Sequence, residues 1–276
     1  MTTQEYLLPK SVDEAVQLLD QYGPALQVMA GGTILMPLVN EGISLPERVM
    51  GLRQAGLNYI QESNGHVSIG AATTLSQMLA WEKIPLLQQS ARNVGGWAIR
   101  NMGTVGGNLF APPPSGDFAV ALLALDAKVR FTSTKNQRLM PLEEFYTGFM
   151  TTALEPGEIV AEIRVPVPEG KTAYVKLGRK HANTPAVVTV AVRIVFNGET
   201  VEEARIALNA VGPHPLRSVE AEKSLIGSKL DDQAIATAAD LAAEHCEPFS
   251  DAIASEWYRR KMVSVFVRRA LAQISP

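Results

Sequence analysis

The chain has 276 residues, of which 46% are hydrophobic, which is enough for two or three packed layers or two modest domains. The formal net charge is −3, and acidic and basic residues are mixed without a lysine- or arginine-rich stripe, which disfavours a nucleic-acid partner. The N-terminus lacks a signal peptide's basic and apolar segments, and no apolar run approaches the ~20 residues that span a bilayer. With one cysteine and four scattered histidines, we expect a cytoplasmic chain without a membrane span or a metal site of its own.

The first part of the chain alternates short strand and helix patterns. Ser11 and Glu14 have the spacing of a capping box, which predicts an amphipathic helix that ends near Gly23. An apolar strand at residues 26–29 leads into a glycine turn, and a short helix is predicted at about residues 34–39. The later elements are predicted as strands at 67–71 (after the Asn64-Gly65 turn signal), 127–132 and 159–165, and as helices at 75–81, 86–94 and 117–125.

Two further segments divide the chain. Residues 95–114 are rich in glycine, proline and asparagine, and so long a loop inside a compact domain is usually functional. Residues 166–171 resemble a connector, and we place a domain boundary there. The elements predicted beyond it are antiparallel strands at 174–178, 187–196 and 201–210, with a hairpin turn at Asn197-Gly198, and helices at 231–245 and 256–274. The predicted class is α+β, with a C-terminal antiparallel sheet backed by helices.

Two glycine pairs share a physical character, since each stands between an apolar segment and a polar turn: Gly31-Gly32-Thr33 and Gly106-Gly107-Asn108. Glycine permits a positive φ and a close approach by a ligand, and successive N–H groups in such turns can form a concave anion site. Two such sites facing each other would suit a pyrophosphate. Each pair taken alone is more often an ordinary tight turn, and that alternative stays open. Neither the G-x-G-x-x-G fingerprint nor a G-x-x-x-x-G-K-S/T loop is present, which disfavours a Rossmann NAD domain and a nucleoside triphosphatase.

Several motifs, in the same order, resemble those of the flavin subunits of xanthine dehydrogenase and aerobic carbon monoxide dehydrogenase, which are molybdenum hydroxylases. The first is residues 29–35 (MAGGTIL), and the second is residues 99–109 (IRNMGTVGGNL), followed at the family spacing by Ser115-Gly116-Asp117. The resemblance continues through residues 207–213 and 258–271, so it covers nearly the entire chain. Two ordered motifs with a closing helix are a far more specific signal than either glycine pair.

The resemblance implies a vanillyl-alcohol-oxidase-type (PCMH-type) FAD-binding domain at residues 1–168, with subdomains at about 1–55 and 56–168, and a C-terminal cap domain at 169–276. It implies no catalytic acid, nucleophile or metal ligand in this chain. The function it implies is that of an FAD-binding electron-transfer subunit of a heterotrimeric molybdenum hydroxylase. A partner chain would hold a [2Fe-2S] cluster and a large chain the molybdopterin, in a dimer of heterotrimers, and electrons would pass through FAD to an external acceptor.

The resemblance also implies a set of cofactor-binding residues. The backbones of both motifs would hold the pyrophosphate and the ribityl chain. Asp117 would bind the ribityl or adenosine side, Val160 would line the adenine end and Lys176 would approach the isoalloxazine ring. The full implied set is Met29, Ala30, Gly31, Gly32, Thr33, Ile34, Leu35, Thr104, Val105, Gly106, Gly107, Asn108, Asp117, Val160 and Lys176.

Some positions depart from the family or have a simpler explanation. Ile34 stands where many relatives have aspartate, and near Thr184 some relatives place a tyrosine over the flavin. Lys176 could be a solvated strand residue, and Asp117 could be the N-cap of the helix that follows. For Cys246 we expect a buried apolar role, and as the only cysteine it excludes an inserted four-iron cluster. We expect Trp97 to pack, with a flavin-proximal role left open, and His181 to face solvent or be structural. The remaining basic residues are expected to form the polar face of one helix: Arg259, Arg260, Lys261, Arg268 and Arg269.

Two other functions stay open at this point. The first is a self-sufficient flavin oxidase or dehydrogenase of the same fold that acts on its own alcohol or aldehyde. Such an enzyme needs a catalytic base or a flavin-linking histidine or cysteine near the ring, and the sequence offers no convincing one. The second is an assembly subunit that has lost its flavin, which the two intact glycine motifs disfavour.

Overall fold

The computed structural model describes residues 5–275, and the chain begins with a small parallel sheet. Its elements are β1 (Glu5–Leu7), α1 (Val12–Tyr22), β2 (Leu26–Met29), α2 (Leu35–Asn40) and β3 (Arg48–Gly51). The strands pair in the order β1-β3-β2, so β3 is central. The apolar stripe of α1, which includes Ala15 and Leu19, is buried in one cluster with Leu26 and Met50 of the sheet.

Helix α1 begins where predicted, but only half of the predicted capping box forms. Ser11 Oγ accepts a hydrogen bond from the Glu14 N–H at 3.1 Å, as an N-cap should. The Glu14 carboxylate accepts from the Lys10 N–H at 2.6 Å, one residue before the expected donor. At the other end Gly23, with φ 52, terminates the helix as predicted.

The second part of the chain is a five-stranded antiparallel sheet. Its helices all lie in the sequence between the second and the third of its strands. Its elements are β4 (Ile60–Ser63), β5 (His66–Gly70), α3 (Leu75–Ala80), α4 (Pro85–Asn93), α5 (Trp97–Met102), α6 (Val105–Asn108), α7 (Asp117–Ala124), β6 (Lys128–Thr132), β7 (Gln137–Pro141), β8 (Tyr146–Gly148), β9 (Thr151–Thr152) and β10 (Ile159–Pro166). The sheet has the order β4-β5-β10-β6-β7, and β8 and β9 form a separate hairpin.

The segment predicted as a long loop, residues 95–114, is largely helical in its first half. It contains α5 and α6, each only a turn or so long. Because glycine and asparagine have weak helix propensity, the sequence pattern did not predict these two short helices. Thr104 caps α6, since its Oγ1 accepts the Gly107 N–H at 3.0 Å.

The C-terminal part is a four-stranded antiparallel sheet covered by three helices. Its elements are β11 (Lys171–Gly178), β12 (Ala186–Asn197), β13 (Thr200–Asn209), β14 (Leu216–Arg217), α8 (Val219–Leu225), α9 (Asp232–Glu244) and α10 (Glu256–Ala272). Helix α8 was not predicted. Asn197 pairs with Thr200, so the two central residues of the hairpin turn are Gly198 and Glu199. No helix within residues 5–275 combines the length and apolar character needed to cross a bilayer.

Helix α7 joins the two larger sheets. All eight of its residues are buried. The cluster that holds Phe118 also holds Ile163 of β10 together with Ala191 of β12 and Ala207 of β13. The N-terminus of α7 is therefore held between the two larger sheets. The separate sheets and helices of the chain confirm the α+β class.

Two predictions about single side chains are wrong. Arg259 is fully buried, with no exposed surface, and not on a polar helix face. Its guanidinium donates to the carbonyls of Ala186, Val187 and Ala210 and pairs with Asp251 at 2.8 Å. A helical pattern cannot reveal this, because all these acceptors lie outside the helix. Trp97 was expected to pack, but 75% of its surface is exposed.

Candidate functional site

A cavity of about 650 Å³ lies where β2, the α5–α7 region, the start of β10 and the 183–185 loop of the C-terminal part meet. This volume is within the range of ligand sites, about 300–1,000 Å³. Of the residues implied by the motifs, all except Val105 and Lys176 line it. The structure therefore brings together two segments that are about 70 residues apart in the sequence.

The first glycine turn presents unused backbone donors at the cavity wall. The N–H groups of Gly31, Gly32, Thr33 and Ile34 donate no hydrogen bond to any acceptor within residues 5–275. Gly32 has φ +75, a conformation that a residue with a Cβ rarely adopts. A Cβ on Gly31 would lie 1.9 Å from the Met102 carbonyl oxygen, so α5 packs directly on this turn. The turn has the donors of an anion site.

The second glycine turn is built differently, because its backbone N–H groups already have acceptors within the protein. Its four N–H groups are already used: Val105 donates to Thr73 O, Gly106 to Ala71 O, Gly107 to Thr104 Oγ1 and Asn108 to Thr104 O, at 2.9–3.0 Å. A Cβ on Gly106 would lie 2.7 Å from the Ala71 Cβ. This turn provides a close-packed wall, while its backbone donors hold α6 in place.

Asn108 also connects the second turn to α7. Its Oδ1 accepts the Phe118 N–H at 3.1 Å, in the first turn of that helix. The N-cap residue itself is Gly116, which has φ 92 and makes no side-chain cap, so the alternative role of Asp117 as the N-cap is wrong. Asn108 thereby satisfies one of the backbone donors at the start of α7.

Family models match almost the whole chain. The model described as the FAD binding domain in molybdopterin dehydrogenase matches residues 2–168. The model described as the CO dehydrogenase flavoprotein C-terminal domain matches residues 172–274. The chain belongs to this family of FAD-binding subunits. The resemblance stated from the motifs is confirmed, and so is FAD as the cofactor of the family's domain.

Named relatives of the same family are similar to this chain over almost their whole length. The chain is 33% identical to the glyceraldehyde dehydrogenase medium chain of Sulfolobus acidocaldarius, over 98% of both chains. It is 35% identical to the carbon monoxide dehydrogenase medium chain of Afipia carboxidovorans, over 97% of this chain and 95% of the relative. A solved Cu,Mo-CO dehydrogenase in a cyanide-inactivated form superposes with a TM-score of 0.93 at 34% identity, over 99% of both chains. This FAD-binding subunit is an oxidoreductase component.

Asp117 lines the cavity of this FAD-binding subunit but has both carboxylate oxygens bound by the C-terminal part. Its Oδ1 accepts from Thr189 Oγ1 at 2.6 Å and from Asn209 Nδ2 at 3.4 Å. Its Oδ2 accepts from Lys176 Nζ at 2.7 Å. The side chains of Asp117 and Lys176 are 7% and 6% exposed, so Lys176 is not the solvated strand residue that its pattern allowed.

Among the residues that the sequence did not indicate, Glu158 is the most informative. It lines the cavity beside Val160, and Arg138 donates to both of its carboxylate oxygens at 2.7 Å. These hydrogen bonds hold the pKa of Glu158 below its usual value. A glutamate in a turn before an apolar strand looks the same as a solvated one, so no local pattern could have found it.

The wall contributed by the C-terminal part is Asn183, Thr184 and Pro185. Asn183 has φ 48, and Thr184 O accepts from Lys176 Nζ at 2.9 Å. No aromatic side chain of this segment lines the cavity, in keeping with the sequence departure near Thr184.

Proposed function

We propose that this chain holds FAD noncovalently in the 650 Å³ cavity, with the pyrophosphate against the first glycine turn. The observation that carries the proposal is the row of four consecutive N–H groups at the cavity wall, from Gly31 to Ile34, that have no acceptor in the described part of the chain. Donors of this kind suit an anion without a lysine. The second turn, with Val160 and the 183–185 loop, would provide the remaining walls. We also propose 1–168 and 169–276 as the two domains.

We further propose that the chain is the electron-transfer subunit of a molybdenum hydroxylase. FAD, when bound, supplies chemistry that accepts and releases one or two electrons. The relatives at 95–98% coverage are named medium chains, which are components of larger enzymes. By this likeness, a [2Fe-2S] chain and a large molybdopterin chain would be the partners, in a dimer of heterotrimers, with an external acceptor after FAD. The substrate would be oxidised on the large chain.

The cavity's own chemistry favours this relay over a self-sufficient oxidase. Its titratable lining side chains within residues 5–275 are Asp117 and Glu158. Each is paired with a cation, Lys176 and Arg138 respectively, at 2.7 Å. A carboxylate whose oxygens are already bonded to a cation is poorly placed to accept a proton from a substrate. Among the described residues, the lining also offers no histidine or cysteine to link a flavin covalently.

Two measurements test this proposal. Acid precipitation of the FAD-loaded chain should release the yellow cofactor into the supernatant, and colour retained in the pellet would contradict noncovalent binding. Under anaerobic conditions, aldehydes and alcohols should leave the flavin absorbance of the isolated chain unchanged, whereas the substrate of the complete complex should bleach it in that complex. Turnover of an alcohol or aldehyde by the isolated chain at the rate of the complex would favour the oxidase.

A further inference from the structure

A second cavity, of about 200 Å³, lies on the five-stranded sheet and shares no residue with the larger one. Ile163 and Val165 of β10 are buried in the core, so Arg164 between them faces the opposite side of the sheet. The residues that line this cavity are Gly65, His66, Lys128, Leu139, Arg164 and Pro166. Its three polar side chains are all nitrogen bases, and no carboxylate within residues 5–275 lines it.

Two of these side chains, Arg164 and Lys128, are like charges in directly opposed positions. Arg164 of β10 pairs with Lys128 of β6 in the antiparallel ladder, so both side chains leave the same face of the sheet. Like charges placed in this way destabilise a sheet. In the described part of the chain, Lys128 pairs with no carboxylate and Arg164 pairs with Glu162 alone. The sheet by itself therefore gives no reason for the pair, whereas an anion between the two cations would.

Glu162 does not neutralise this face. Its Oε1 accepts from Arg164 Nη2 at 3.3 Å, but Arg130 donates to the same oxygen from Nε and Nη2 at 3.2 Å. Its Oε2 accepts from the Tyr59 hydroxyl at 2.9 Å. The Arg164 Nε is buried and has no acceptor within residues 5–275. A buried donor without an acceptor is costly, and a bound ion can supply the acceptor. Together with Lys128, the two arginines leave a net positive charge on this face in a chain whose own net charge is −3.

We propose that this second cavity binds a tetrahedral oxyanion of the phosphate class, either free or as the phosphate group of an organic molecule. Lys128 and Arg164 hold its charge, and His66 approaches from the other side, because β5 and β6 flank β10 and lie about 10 Å apart. A tetrahedral anion offers oxygens to donors from three strands, whereas a carboxylate offers two. A water molecule takes about 30 Å³ of the liquid, so the cavity has room for a phosphate group. The inference goes beyond the proposed function and stands without it.

The test is calorimetric titration of the full chain with inorganic phosphate, in chloride buffer of constant ionic strength. Excess FAD is present, so that the first glycine turn does not contribute an anion site. The wild type is compared with Lys128→Gln and with Lys171→Gln. Lys171 is a matched control, since it is also an exposed lysine at the start of a strand and it lines neither cavity. Melting temperatures are measured with and without phosphate. Because phosphate stabilises many proteins without binding, the difference between the variants decides.

We expect saturable binding of phosphate to the wild type, with a dissociation constant of about 1 mM or lower. Lys128→Gln should weaken it about tenfold or more, and Lys171→Gln should leave it unchanged. Without phosphate, Lys128→Gln should melt no earlier than the wild type, because it removes the repulsion from Arg164. Ribose 5-phosphate distinguishes the two sources: tighter binding than phosphate indicates an organic phosphate, and weaker binding indicates the free ion.

Three results would overturn the inference. The first is a wild-type titration that shows no saturation by about 10 mM phosphate. The second is a Lys128→Gln protein that binds phosphate as tightly as the wild type, and an earlier melting temperature in that variant would then assign Lys128 a structural role. The third is acetate bound as tightly as phosphate, since the cavity would then not select a tetrahedral anion. A chain that bound phosphate in this way but no FAD would contradict the proposed function alone.

Discussion

The two glycine turns look alike in the sequence and differ in the structure. Both place a glycine pair and a polar residue beside an apolar segment, and both line the same cavity. In the first turn, the N–H groups of Gly31 to Ile34 have no acceptor among residues 5–275, while the second turn donates its N–H groups to Thr73, Ala71 and Thr104. A glycine pair can therefore contribute to a ligand site in two ways, either by donating backbone hydrogen bonds or by forming a closely packed wall. Which of the two it does depends on whether its N–H groups already have acceptors within the protein.

The largest effect that this comparison predicts is for Gly31→Ala. The new Cβ would lie 1.9 Å from the Met102 carbonyl oxygen, a backbone atom that cannot move aside alone. Separating α5 from the turn should displace the free donors, and we expect FAD affinity to fall about a hundredfold or more. Fluorescence titration of the apo-protein measures this, together with loss of the FAD-dependent rise in Tm.

Gly96→Ala is the matched control for that experiment. Gly96 precedes α5, close to the same cavity, and a Cβ there would meet only the Asn183 Cβ at 4.0 Å. Its FAD affinity should stay near the wild-type value. A Gly31→Ala protein that bound FAD as tightly as Gly96→Ala would show that the first turn is not the donor site.

A smaller effect, and mainly on stability, is expected for Gly106→Ala. Its Cβ would lie 2.7 Å from the Ala71 Cβ and 2.9 Å from Ala71 O, inside the packing of α6. Overpacking of this kind costs about 1–3 kcal/mol of unfolding free energy. Urea denaturation of the apo-protein measures it. Because the backbone donors of this turn already bind protein acceptors, FAD affinity should fall less than in Gly31→Ala, and the reverse order would contradict the distinction between the turns.

The sequence predicts most of the segments that line the site, but not the hydrogen bonds that these segments make. Periodicity and turn residues predict seven of the ten helices and seven of the fourteen strands that the structure describes. The ordered motifs identify segments 29–35 and 104–108, which line one cavity. Two acceptors of the second turn, Ala71 O and Thr73 O, come from about 30 residues away, and no local pattern predicts them. For the same reason, the sequence did not predict the burial of Lys176 and Arg259. Their charges are buried because carbonyl and carboxylate groups from distant parts of the sequence surround them. Local sequence records which donors exist, and tertiary structure decides which of them are left for a ligand.

The smallest expected effect concerns Thr104, whose hydroxyl oxygen caps α6 by accepting the Gly107 N–H at 3.0 Å. Thr104→Val keeps the shape of the side chain and removes this acceptor, which should lower the unfolding free energy by about 1 kcal/mol. Thr104→Ser keeps the acceptor and should stay near the wild-type stability. If the second turn is only a wall, both variants should bind FAD within about threefold of the wild type, a difference below 1 kcal/mol. Urea denaturation and FAD titration of the three proteins measure both quantities. A Thr104→Val protein that lost FAD affinity as strongly as Gly31→Ala, while Thr104→Ser kept it, would mean that the hydroxyl donates to the cofactor, and the second turn would then be a donor site as its sequence first suggested.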